Sequence, residues 1–294
     1  MDEDSDLYPH RGFMLDTGRK FFPVNAILDL LTVLHEHRFN VFHWHIYDAE
    51  SFPLHWPADR GLTDTSIRYS HTRDYYTPSD IQTVVNYAQS LAIQVYPETD
   101  MPGHSDIWYV SEPEEISWAL TPDLQHLVAQ LDIRNAQLHA YIADLVTTVD
   151  QYFQSPHYHH FGADEVAYIW GSDDDNRLFA NYLHWLRCLR PNKSAIQIDL
   201  ATDWIIQTWH SGVTQEVLRR GHRVIVSESD TFYIGNADAD KISKFAFPDD
   251  ANVLGFEVVW FISQGDDSWD FRQNWVMQPI KVAAQIRRQG SNRA

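Results

Sequence analysis

The sequence predicts an α/β chain folded as a (β/α)8 TIM barrel, with a shortened or irregular fifth unit. Three observations predict it. Short β-rich runs alternate with amphipathic helical stretches, no Ser/Gly/Pro-rich hinge or internal repeat divides the 294 residues, and polar or aromatic residues follow one predicted strand after another. In such a barrel the loops after the strands converge on one rim, so those residues meet there.

The predicted strands, in order, are 13–16, 40–46, 93–97, 158–162, 205–209, 223–227 and 253–260, with a weak one at 195–198. Amphipathic helices are predicted at 26–37, 79–91 and 135–153, the second opening on Thr77-Pro78-Ser79-Asp80 in the manner of an N-capped helix. One domain over 1–294, with a core of about 8–285, is the simplest organisation.

Composition narrows the function. With 22 basic and 41 acidic residues the net charge is −19, which argues against nucleic acid as a partner. No apolar run approaches the roughly 20 residues that span a bilayer, and the acidic start Met1-Asp2-Glu3-Asp4 predicts no signal peptide in this chain. The single Cys188 excludes an internal disulfide framework and a multi-cysteine zinc site. The 11 Trp, 14 Tyr and 15 Phe exceed what a core of this size usually needs, and sugar-binding clefts use such rings.

Three segments carry the chemistry. His160-Phe161-Gly162-Ala163-Asp164-Glu165 runs a strand into adjacent carboxylates; in a cleft, repulsion and desolvation push one pKa up while the other stays charged. The blander alternative is a solvated pair capping the next helix. Tyr96 to His104 contains a Pro-Gly turn that returns a histidine toward those carboxylates, where it can orient an acid. His43 and His45, two apart on a strand, face the same way; this arrangement ligates a metal in one class of barrels. Later strand ends offer Trp209, Tyr233 and Trp260 rather than further ligands, so a hydrogen-bonded histidine pair is the preferred reading, with no metal and no cofactor.

Arg11 to Arg19, Phe42-His43-Trp44-His45, Asp48 with Ser51-Phe52-Pro53, Tyr76 to Ile81, Asp100-Met101-Pro102-Gly103-His104 and His160 to Glu165 together resemble the catalytic domain of the family 20 glycoside hydrolases, the β-N-acetylhexosaminidases of fungal and animal type. The six segments stand in the family's order over about residues 8–280. The resemblance implies substrate-assisted retaining catalysis through an oxazolinium, an exception to the two-carboxylate scheme. By position Glu165 resembles the general acid and base, and Asp164 the partner of the acetamido N–H. Arg19 resembles the residue that grips the terminal sugar, with Asp48 and His104 in support; Trp209 and Trp260 resemble walls of the acetamido pocket, and Tyr233 the donor to the acetamido oxygen. The implied partners are oligosaccharides or glycoconjugates ending in N-acetylhexosamine, chitin fragments and glycoproteins among them. A secreted or lysosomal/vacuolar setting is also implied, with a homodimer as the assembly it allows.

Departures accompany the likeness. Where the family reads Trp, a small residue and a sugar-binding Glu, the run is Trp260-Phe261-Ile262; after Tyr233, Ile234-Gly235 replaces a hydrophobic residue followed by Asp or Asn. Ala163 stands where the family has Gly, the fifth unit is short, and the smaller α/β domain that usually precedes this barrel is absent from the sequence. The departures predict a high KM with a less affected kcat, with an inactive or weakly active sugar-binding homologue as the rival.

Overall fold

The computed structural model describes residues 8–59, 61–69, 74–110, 130–154, 156–166, 173–189, 202–235, 239–261, 271–272 and 274–289. Its strands are β1 His10–Asp16, β2 Val41–Tyr47, β3 Gln94–Thr99, β4 Ile205–Thr208, β5 Arg223–Val226 and β6 Val253–Trp260. All pairings are parallel, in the order β3-β2-β1-β6-β5-β4, so the first and last strands in sequence lie side by side at the centre of the sheet. The helices are α1 Val24–Glu36, α2 Leu62–Tyr69, α3 Pro78–Ser90, α4 Asp106–Val110, α5 Ala136–Tyr152, α6 Asp173–Leu189, α7 Thr214–Arg219, α8 Ala239–Lys244 and α9 Asn274–Gln289. No helix among the described residues is long and apolar enough to cross a membrane.

The predicted strand at 158–162 is present only as a single parallel bridge, Glu98 with His160. His160 donates to the Pro97 carbonyl and accepts from Thr99 N–H, both at 2.9 Å, and Phe161 accepts from Met101 N–H. The ladder stops there because the chain turns into the left-handed region at Gly162 (φ 62°) and Ala163 (φ 67°). The weak strand at 195–198 lies outside the described residues.

Period-two alternation divides each strand between two environments. From β2, Phe42, Trp44 and Ile46 join the apolar layer beneath α1 and α3, against Ile27, Leu30, Leu34, Ile81 and Val84. His43 and His45 point to the other face. Thr77 caps α3 as the sequence predicts: its hydroxyl accepts from Asp80 N–H (3.2 Å) and the Asp80 carboxylate accepts from Thr77 N–H (2.9 Å). Asn135 caps α5 by accepting from Gln137 N–H.

Candidate active site

Beneath the strand ends lies a buried chain of charges. Glu257, in the otherwise apolar β6, meets His10 Nε2 (2.7 Å), His43 Nδ1 (2.9 Å) and Gln207 Nε2 (3.0 Å), and accepts from the Tyr96 hydroxyl. It fits because Gly12 faces it: a Cβ there would stand 2.5 Å from Glu257 Cγ. The other His43 nitrogen lies 3.0 Å from Glu98 Oε2, and His45 Nδ1 lies 2.8 Å from the same oxygen. These two are ion-pair contacts rather than aligned hydrogen bonds. Each ring lies between carboxylates, which only accept, so each is satisfied as an imidazolium. The neighbouring carboxylates outweigh burial and raise His43 to about 9 and His45 well above its ordinary value. Glu98 and Glu257 are held below theirs: burial opposes this, and the surrounding histidines prevail.

The chain surfaces at Arg19. His45 Nε2 meets Asp48 Oδ2 at 2.7 Å, and the guanidinium spans Asp48 (3.0 Å) and Asp16 (2.9 Å) while lying 5.0 Å over the Phe261 ring. The guanidinium is thereby aimed in place before anything binds.

The sequence-predicted acids stand beside it. His104 returns on the Pro-Gly turn between Asp100 Oδ2 (2.6 Å from Nδ1) and Glu165 Oε2 (3.1 Å from Nε2). Burial alone would lower this histidine, but Asp100 and Asp164 raise it to about 11, so it donates to the Asp100 and Glu165 carboxylates. The Asp164 side chain touches the pocket with 28% exposure, yet protein surrounds it on all other sides. Burial, reinforced by Asp100, pushes it up to about 7. Glu165 is 47% exposed, open to an incoming group. His104 (φ 47°), Ala163 (φ 67°) and Glu165 (φ 53°) are all left-handed non-glycine residues, a concentration of strain common at functional sites. Gly162 admits Asp100, whose Oδ1 would lie 1.7 Å from a Cβ.

These groups line one cavity of about 220 Å³, closed on the far side by Gln207, Trp209, Tyr233 and Phe261. Seven of the eight predicted site residues therefore converge: Glu165, Asp164, Arg19, Asp48, His104, Trp209 and Tyr233. Trp260 does not. It is 2% exposed and packs on Phe22 (5.7 Å) and Phe271 (5.2 Å) in the outer layer. In β6 the inward residues are odd-numbered, so Phe261 faces the cavity, 5.4 Å from the Tyr233 ring; a reading one residue out of register exchanges the faces. Ile262 lies outside the described residues, and its assignment as the lost carboxylate position rested on an inward Trp260. Sequence reading also missed Glu257, Gln207 and Phe261 as site residues; a lone Glu among six apolar β6 neighbours was the available signal.

Among the described residues, three groups bring side-chain nitrogen and oxygen atoms close enough to hold a divalent ion: His43, Glu98 and His160; His45, Asp48 and Asp100; Asp100, His104 and Asp164. Each also contains an imidazole–carboxylate contact at 2.6–3.0 Å, the spacing of charge-assisted pairs.

A strand-end pocket with a histidine-bridged carboxyl, a second carboxyl and a ring wall has the parts that glycoside hydrolysis uses. The model of the glycosyl hydrolase family 20 catalytic domain matches residues 8–183, and the chain belongs to that family. A beta-hexosaminidase of Emericella nidulans is 29% identical over 274 residues, covering 79% of this chain and 45% of its own. Beta-hexosaminidase subunit A1 of Dictyostelium discoideum is 30% identical, covering 92% of this chain and 57% of its own. The chain thus spans about half the length of these relatives. A solved family 20 beta-N-acetylglucosaminidase superposes with a TM-score of 0.79 at 21% identity over 96% of this chain and 69% of its own, a likeness of fold.

Proposed function

We propose that this chain is the catalytic unit of an exo-acting β-N-acetylhexosaminidase that removes terminal β-linked GlcNAc or GalNAc by substrate-assisted, retaining hydrolysis. The observation that carries the reading is His104 bridging Asp100 and Glu165 beside Asp164, opposite Trp209 and Tyr233 in one pocket. Glu165 gives its proton to the leaving oxygen as the substrate's acetamido oxygen attacks the anomeric carbon; the oxazolinium forms and the glycosidic bond breaks. Glu165 then takes a proton from water as water opens that ring at the anomeric carbon. Asp164 accepts from the acetamido N–H, and the positive charge that develops there favours its ionised form. Tyr233 donates to the acetamido oxygen and orients the attack, while Arg19 with Asp48 grips hydroxyls of the terminal sugar.

The reading includes a full eight-stranded barrel in a single catalytic domain. It also includes a secreted or lysosomal setting and a homodimer, to be checked by light scattering. Turnover of an aryl β-N-acetylglucosaminide tests the activity. Hydrolysis that disappears in Glu165→Gln supports it; sugar binding without turnover would make the chain a non-catalytic homologue. Gly235 is where that second reading has an observation of its own: φ is 103° and nothing lies within 4 Å of a Cβ built there, so position 235 itself offers no side chain to a sugar hydroxyl.

A further inference from the structure

The loops that follow β4 and β5 carry Trp209 and Tyr233, and one buried carboxylate ties both. Glu228 Oε2 accepts from Gly212 N–H (2.9 Å) and Oε1 from the Thr214 hydroxyl (2.6 Å), which also meets Thr208 Oγ1 at 3.0 Å. The Glu228 carbonyl accepts from Thr231 N–H (3.0 Å) and Phe232 N–H (2.8 Å), closing the turn that delivers Tyr233. Next to it, Ser229 N–H donates to the Trp209 carbonyl at 2.8 Å. Glu228, Thr214 and Thr208 are buried, whereas the loop tip 210–212 is exposed, its one ring contact being His210 stacked on Trp209 among the described residues. With so little packing on the tip, hydrogen bonds decide where the Trp209 side of the pocket stands.

We infer that Glu228 is a positioning residue that staples the Trp209 loop to the Tyr233 loop and thereby sets how large a 2-acyl group the pocket accepts. The inference rests on the proposed hexosaminidase reading for its substrate but not for the staple itself. Removing the carboxylate frees Gly212 N–H and the Thr214 hydroxyl, letting the tip carry Trp209 outward. The acid at Glu165, on the opposite side of the pocket, keeps its partner His104. Binding and acyl selectivity therefore change while bond cleavage changes little.

The test uses the full chain, an aryl β-N-acetylglucosaminide and its N-butyryl analogue, with amide hydrogen exchange measured in parallel. In Glu228→Ala we expect KM for the N-acetyl substrate to rise about tenfold with kcat within about twofold, the loss of two buried hydrogen bonds being felt in binding. The preference for N-acetyl over N-butyryl should fall several-fold, and amides of 209–214 should exchange faster. Glu228→Gln restores all three, since its carbonyl accepts from Gly212 and its amino group donates to Thr214 Oγ1. Thr214→Val, which removes one arm, gives smaller shifts in the same direction and decides the matter if Glu228→Ala does not fold. Unchanged exchange at 209–214, or faster exchange with KM and acyl preference unmoved, overturns the inference. A wild-type chain that turns over neither glycoside refutes the hexosaminidase reading instead, and exchange alone then judges the staple.

Discussion

The two halves of the pocket are built by different rules. The half from β1 to the 158–162 segment supplies the charged groups Arg19, Asp48, His104, Asp164 and Glu165, and the other half, from β4 to β6, supplies Trp209, Tyr233 and Phe261. The family model ends at residue 183, so it covers the charged half and leaves the ring half unmatched. A charged group works only at hydrogen-bond distance and angle, which demands particular turns and particular residue types around it. An apolar wall needs shape and area, which several rings supply. The charged half is consequently written in motifs, and the ring half mostly in register.

The largest effect that would break this comparison lies at Glu165. Glu165→Gln cannot protonate the leaving oxygen, so hydrolysis of unactivated chitobiose should fall by about 10²–10⁴-fold, while an aryl glycoside with a good leaving group loses less. Equal losses on the two substrates would contradict the acid role. Asp164→Asn removes the charge opposite the oxazolinium and should slow both substrates alike, by about 10²–10³-fold. Wild-type rates in that variant would make the pair a helix cap.

Next in size is stability, where the two halves meet at Glu257. Glu257→Gln leaves the His43 imidazolium facing an amide, and breaking a buried pair costs about 3–5 kcal/mol, measurable by urea unfolding. The pH dependence follows from the same pairs. The folded pKa of His43 is raised from 6.5 to about 9, so its contribution is fully present below pH 6.5 and is lost as pH rises through about 9. Glu98 is held well below 4.5, so its contribution is present above pH 4.5 and lost as pH falls further. The stability that Glu257→Gln removes should therefore be largest between about pH 4.5 and 6.5 and shrink as pH rises through 9, read as the gap between wild-type and variant urea midpoints; a gap still growing at pH 9 would show that His43 is neutral in the fold.

Much of this was legible before the structure. Six of the predicted strands are legible as β-rich runs of four to eight residues, and the turns at Asp100–His104 and His160–Glu165 are legible from residues that tight turns favour. The buried hub was not. Glu98 and His43 come from adjacent strands and Glu257 from the far end of the chain, so no local pattern reveals that they touch. Nor did the sequence show that Asp164 is raised, because that depends on its burial and on Asp100, which packs against Gly162.

The smallest effect sharpens the register itself. Reading Trp260 as a pocket wall follows from the family resemblance, which prefers the tryptophan at this strand end as the wall. The alternation of β6 overrules that preference: Phe261 lines the cavity and Glu257 lies behind its lining residues His43 and Gln207, while Val258 and Trp260 join the outer layer. Phe261→Leu removes the ring beneath the Arg19 guanidinium, a contact worth about 0.5–1 kcal/mol, and should raise KM about two- to fivefold with little change in unfolding free energy. Trp260→Phe should do the reverse, costing about 1–3 kcal/mol of stability through the gap left beside Phe22 and Phe271 while KM holds. Measuring both quantities for both variants separates the faces. If Trp260→Phe moves KM and Phe261→Leu moves only stability, β6 is one residue out of register, and the position facing the sugar hydroxyls returns to residue 262.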